Sequence, residues 1–256
     1  MRKLALLLAL LAVAAPAGAA PLPTLNDEFD DPGTTVQWQV MQGDLADGVA
    51  PAFDIAKTTP GELTITPGRS WWVDGTRAFY LYKPVVGDFV VTARLHVTGR
   101  EAAVPAADWS LSGLLVRRPT DNRAQENWVS FRIGRRGGKD VFERKTTVAG
   151  TSTLVLTPAQ PTWVELRIAR VGRYFIFLRR YGSGPFTTRF TYIRRDLPPA
   201  LTAGIDAFSG YGDTKADLVS HVDWIHFSST GVPGPLRRAV LAGKRPPAAL
   251  TRYLNR

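Results

Sequence analysis

The feature that most constrains this chain is a side-chain alternation of period two, recurring along most of its length with turn signals between the runs. From Asp88 to Thr98 it places Phe89, Val91, Ala93, Leu95 and Val97 on one face and Val90, Thr92, Arg94, His96 and Thr98 on the other. That is the pattern of an antiparallel strand with one face in a core. Similar runs cover Glu62–Thr66, Arg77–Lys83, Leu111–Arg117, Asn127–Gly134, Asp140–Thr147, Ser152–Thr157, Thr162–Ala169, Tyr174–Arg180, Phe186–Ile193, Leu201–Ala207 and His221–Ser228. Glycine-bearing breaks such as Val86-Gly87-Asp88, Arg136-Gly137-Gly138-Lys139, Val171-Gly172-Arg173 and Gly182-Ser183-Gly184-Pro185 supply the positive φ of tight hairpins. About a dozen such strands predict an all-β protein of two packed antiparallel sheets. Helical periodicity is nearly absent, and the Ala-rich stretch Arg100–Asp108, interrupted by Pro105, reads as a surface loop.

The first residues read differently. Arg2 and Lys3 precede an apolar run from Leu4 to Ala15, followed by Ala17-Gly18-Ala19. This is the layout of a secretory signal peptide, with cleavage expected after Ala19. The run of about 12 residues is short of the roughly 20 that span a bilayer as a helix. The expectation is an exported protein, periplasmic, cell-surface or extracellular. The chain has no cysteine, which excludes disulfides, thiolate metal sites and lipid-bearing cysteines. Of the remaining 237 residues, residues 20–230 suit one all-β domain large enough to bury its own core.

A formal charge of +10 invites a nucleic-acid reading, but it is concentrated at the ends. Residues 231–256 hold Arg237, Arg238, Lys244, Arg245, Arg252 and Arg256 with no acid, and with the two basic residues of the leader set aside the body has 24 basic against 22 acidic residues. The final segment, with Pro233, Pro235, Pro246 and Pro247, reads as a solvated tail outside the sandwich, with one short helix near Leu236–Leu241. It lacks the interleaved aromatics of a single-strand-binding surface. Specific nucleic-acid binding is therefore not expected.

The order of several segments resembles a known family: Asn26-Asp27-Glu28-Phe29-Asp30, then Trp38, Gly61-Glu62-Leu63-Thr64-Ile65, Val86-Gly87-Asp88-Phe89-Val90-Val91, Ser112-Gly113-Leu114-Leu115-Val116-Arg117, Trp163-Val164-Glu165-Leu166-Arg167-Ile168 and Val222-Asp223-Trp224-Ile225-His226-Phe227. Over residues 25–229 the chain resembles the concanavalin A-like lectin and glucanase jelly rolls, especially bacterial secreted domains akin to the C-terminal domain of β-xylosidases. The resemblance implies a protein that binds carbohydrate or hydrolyses it. Fold alone does not choose between these.

The catalytic signature of laminarinase-like members is missing. They carry both carboxylates on one strand, as Glu-x-Asp-x-x-Glu or Glu-x-Asp-x-Glu, where alternate residues face the same cleft. Of the six glutamates only Glu28-Phe29-Asp30 begins this way, and Pro32 or Gly33 stands where the second glutamate belongs. His96, His221 and His226 form no His-Glu-x-x-His pattern, and no Gly-x-Ser-x-Gly elbow is present. An acid and base from separate strands stay open as an alternative. The resemblance also implies a structural calcium near the meeting of first and last strands, with Glu28, from the acidic cluster 27–31, and Asp223 as ligands. Asp223 has an alternative role capping turn amides.

The aromatics give the expected binding chemistry, since a sugar lays its C–H face on an aromatic plane while charged groups take its hydroxyls. By the strand rule the adjacent Trp71 and Trp72 point to opposite faces, so one of them is expected to be exposed. Trp109 follows Asp108 where a loop meets a strand, and Trp128, Ser130 and Arg132 share one face. These six are the expected carbohydrate-binding residues. Trp163, sharing a face with Glu165 and Arg167, reads equally as core or as surface. The leading expectation is a secreted lectin-like protein; the alternatives are a glycan-active hydrolase and a cell-envelope adhesion or structural protein.

Overall fold

The computed structural model describes residues 21–210 and 215–255; the expected signal peptide lies outside the described residues. Among the described residues there are fourteen strands: β1 (Gln39–Met41), β2 (Ala52–Ile55), β3 (Leu63–Thr66), β4 (Phe79–Val86), β5 (Phe89–Thr98), β6 (Ser110–Arg117), β7 (Trp128–Arg136), β8 (Lys139–Val148), β9 (Thr151–Pro158), β10 (Val164–Val171), β11 (Tyr174–Arg180), β12 (Thr187–Ile193), β13 (Ala200–Phe208) and β14 (Val219–Ser228). They form two antiparallel sheets of seven, a first sheet in the order β1-β4-β13-β6-β7-β8-β9 and a second in the order β12-β11-β10-β5-β14-β3-β2. This is a jelly-roll sandwich. Each of the twelve alternating runs coincides with a strand. The two strands without such a signal, β1 and β2, are sheet-edge strands of three and four residues, too short to display a period.

The inner faces meet in one core. Phe89, Val91, Ala93, Leu95 and Val97 of β5 and Leu166 and Ile168 of β10 pack with Leu114 and Val116 of β6 and Val129, Phe131 and Ile133 of β7. Burying each large apolar side chain is worth about 1.5–3 kcal/mol. At one edge Asp27 bridges to Ile225 of β14 in both directions through backbone hydrogen bonds.

The C-terminal segment is a correction to the solvated-tail reading. Helix α1 (Gly234–Leu241), a 3-10 turn over Pro247–Leu250 and helix α2 (Thr251–Leu254) lie on the outer face of the second sheet. Val240, Leu250 and Leu254 are buried there against Val90, Ala169, Val171, Ile176 and Leu178. Arg237 reaches Asp88 at 2.5 Å, and Arg167 donates to the Leu254 carbonyl at 2.6 Å. The sequence holds a trace of this docking: β10 and β11 are apolar at outward as well as inward positions, which requires cover on both faces. The segment's basic composition obscured its apolar stripe.

Candidate glycan-binding cleft

The outward-facing residues of the first sheet follow from its register. Asp206 of β13, Gly113 of β6, Arg132 of β7 and Glu143 of β8 are consecutive cross-strand neighbours, and the next row is Gly204, Leu115, Ser130 and Lys145. Because Gly113 has no side chain, Arg132 reaches across β6: its guanidinium lies 2.5 Å from Asp206 Oδ2 on one side and 2.6 Å from Glu143 Oε1 on the other. All three charged side chains are 0% exposed. Burial raises the Asp206 carboxyl above the ordinary carboxylate range despite the opposing pull of Arg132. Lys145, 3.8 Å from Glu143, is lowered by its own burial.

A loop closes over these rows. Trp72 is fully buried, edge-on to Trp128 with ring centroids 5.8 Å apart and to Tyr80 at 6.3 Å. Lys145 donates to the Trp72 carbonyl at 2.5 Å. Asp74 and Ser152 exchange backbone–side-chain hydrogen bonds at 2.7 and 2.8 Å, and Arg77 holds buried Glu126 at 2.7 Å. The loop is therefore pinned at several points along its length.

Beside Trp72 the loop leaves a cleft of about 320 Å³, lined by Trp71, Trp72, Trp109, Arg136, Lys145 and Phe208, with Val73 and Leu154 at its sides. Trp71 and Trp109 are half-buried. The Arg136 guanidinium sits 4.5 Å from the Trp109 ring centroid and 2.7 Å from Asp108, whose other oxygen accepts from the Gly137 amide at 2.5 Å. Trp109 has a φ of 54°, a left-handed conformation that costs a non-glycine residue of order 1 kcal/mol.

Of the six residues expected to bind carbohydrate, Trp71, Trp72 and Trp109 line this cleft. Trp128, Ser130 and Arg132 do share one face, but each is 0% exposed, so they form the supporting floor beneath Trp72. The cause is the loop itself, which arrives from some fifty residues earlier in the chain and seals the polar face. Trp71 and Trp72 lie in that loop and not on a strand, so their different exposures come from packing rather than pleat. Arg136, Lys145, Leu154 and Phe208 are cleft residues that the sequence reading missed. Register would have found Lys145, the neighbour of Ser130 across β7 and β8.

The carboxylates considered for calcium, Glu28 and Asp223, and the neighbouring Asp27 each have a hydrogen-bond or ion-pair partner. Glu28 Oε1 lies 2.6 Å from His226 Nε2, and Asp223 pairs with Arg94 at 2.5 Å. Asp27 accepts from the Phe29 amide at 2.9 Å and the Trp38 indole N–H at 2.8 Å. The carboxylates are thus engaged one by one with separate donors, and no group of three metal-ligating side chains converges among the described residues.

No family model and no curated protein matches the sequence. Solved structures match the fold. A variant of the GH43 protein BlXynB from Bacillus licheniformis superposes with a TM-score of 0.62 at 12% identity, covering 84% of this chain and 41% of its own. GH43B of a Bacteroides ovatus xyloglucan locus gives 0.58 at 16% identity, covering 85% and 41%. The fold is the concanavalin A-like jelly roll. An immunostimulatory antigen and pseudo β-1,3-glucanase of Mycobacterium tuberculosis shares it at full length, with a TM-score of 0.54, 13% identity and coverage of 80% and 98%. This jelly roll thus spans about two-fifths of each GH43 chain and nearly all of the mycobacterial one. Among the described residues it has no helix long and apolar enough to cross a membrane.

Proposed function

We propose that this jelly roll is an exported carbohydrate-binding protein that holds a glycan in the Trp71–Trp109 cleft without cleaving it. The observation that carries this reading is the convergence of two half-buried indoles with Arg136 and Lys145 around one opening. Indole faces take the C–H surface of a sugar ring, and the two cations donate to its oxygens. The volume of about 320 Å³ lies at the lower end of ligand pockets and suits one or two sugar rings rather than a long buried chain. The glycan-related names of the structural neighbours lend the same reading support.

Binding is favoured over hydrolysis by the state of the carboxylates. Glycoside hydrolysis uses two of them flanking the scissile bond, one protonated and one ionised or activating water. The acids of this face, Glu143 and Asp206, are sealed beneath the loop and bound to Arg132, while Asp108 at the rim is held by Arg136 and the Gly137 amide. Export is supported by the basic, apolar and small-residue order of residues 2–19.

Calorimetric titration of the mature chain with xylohexaose, laminarihexaose and xyloglucan oligosaccharides tests the reading. Binding to at least one is expected, weakened tenfold or more by Trp109→Ala and by Trp71→Ala, with no new reducing ends after prolonged incubation. Binding untouched by both substitutions, or release of reducing ends, overturns it.

A further inference from the structure

The second sheet carries another cleft on its outer face. The C-terminal segment covers that face only as far as Arg167, whose guanidinium meets the Leu254 carbonyl. The two rows beyond it run Trp224–Arg94–Glu165–Arg180 and His221–His96, with Trp163 packed against His96. Among them, beside the 160–162 and 181–183 turns, opens a cleft of about 590 Å³ lined by Arg94, Trp163, Glu165 and Arg180, with Thr162 and Ser183 at its rim.

Its chemistry is specific. The Arg94 guanidinium stands 4.5 Å from the Trp163 ring centroid and 2.5 Å from Asp223; Arg180 meets Glu165 at 2.7 Å. His96 stacks against His221 with centroids 4.7 Å apart and packs on Trp163 at 4.3 Å. Stability does not account for this group, because partly exposed ion pairs contribute about 0–1 kcal/mol each. The two arginines are matched by two carboxylates, so a phosphate or polyanion finds no net attraction. A hydroxyl group both donates and accepts. Two guanidinium–carboxylate pairs beside an indole therefore match neighbouring hydroxyls on a ring with one apolar face.

We propose that this Trp163 cleft is a second carbohydrate site, selective for a neutral, hydroxyl-rich glycan. The two clefts lie on outer faces of different sheets, so one molecule engages two glycan chains or two stretches of one polymer. On a polysaccharide the second contact is then intramolecular and raises avidity without any new interaction.

The test is an NMR titration of the isotope-labelled mature chain with laminarihexaose and xylohexaose, following the indole N–H signals, together with calorimetric stoichiometry. Saturable shifts at both Trp163 and Trp109 are expected, with two hexasaccharides bound per chain. Trp163→Ala is expected to weaken the second event at least tenfold and leave the Trp109 response unchanged. A Trp163 signal that stays fixed while Trp109 responds overturns this proposal and leaves the first cleft standing. The reverse pattern supports it and overturns the first. Silence at both sites removes both. If Trp163→Ala fails to fold, the wild-type titration decides alone.

Discussion

Replacing Arg132 by methionine separates a supporting role from a ligand-binding one. The substitution keeps most of the side-chain volume and removes the guanidinium that bridges Glu143 and Asp206 at 0% exposure. Deleting one partner of a buried ion pair costs about 3–5 kcal/mol because the remaining charge is left uncompensated. For a domain of this size each kcal/mol moves Tm by about 2–4 °C, so a fall of about 6–20 °C is expected. The deficit depends on pH with a defined sign. Asp206 already ionises above the ordinary carboxylate range, and without Arg132 its folded-state value rises further. Folded protein then holds its proton over a range where unfolded protein has lost it, so the variant loses stability as pH rises through that range and is least impaired in acid. Thermal denaturation of both proteins at pH 4 and pH 7 measures this. A loss below about 1 kcal/mol, or a deficit equal at both pH values, refutes the assignment of Arg132 to the floor.

Other substitutions probe the remaining parts. Leu254→Ala removes a buried contact of the C-terminal segment with the second sheet and is expected to cost about 2–5 kcal/mol by chemical denaturation; a neutral result means the segment is not docked. Gly113→Ala puts a methyl group against the Phe131 carbonyl oxygen and the Arg132 Cα, with an expected loss of about 1–3 kcal/mol seen as a lowered Tm. His96 is pulled down to about 4 by burial, with His221 and Arg94 adding to the effect. Its NMR signals are expected to hold the neutral form at pH 5. Because an unfolded histidine takes up its proton near 6.5, stability from this residue is complete above that value and falls as pH drops towards 4. Titration of His96 near 6.5 contradicts the packing described for it.

Much of the architecture is legible in the sequence because a sheet writes its two faces directly into alternate residues. β5 shows this at every position from Phe89 to Thr98, whereas β1 and β2 are too short to show it. The shared face of Trp128, Ser130 and Arg132 is legible for the same reason. Their burial is not, since it depends on where a loop bearing Trp72 comes to rest, and no local pattern encodes that. The same limit hid Lys145 and Phe208, which reach the cleft through register and loop closure. The docking of α1 and α2 is encoded twice, in the outward apolar residues of β10 and β11 and in Val240, Leu250 and Leu254, but the basic residues and prolines between these three mask their pattern.

Glycan recognition in the Trp71–Trp109 cleft is tested most directly by a crystal structure of the mature chain soaked with the hexasaccharide that binds it best. The account predicts an intact glycan with sugar rings against Trp71 and Trp109 and hydroxyls bonded to Arg136 and Lys145, the loop over Trp128 and Arg132 remaining closed. A glycan found cleaved, or lying on the Arg132–Glu143–Asp206 row with that loop displaced, contradicts it.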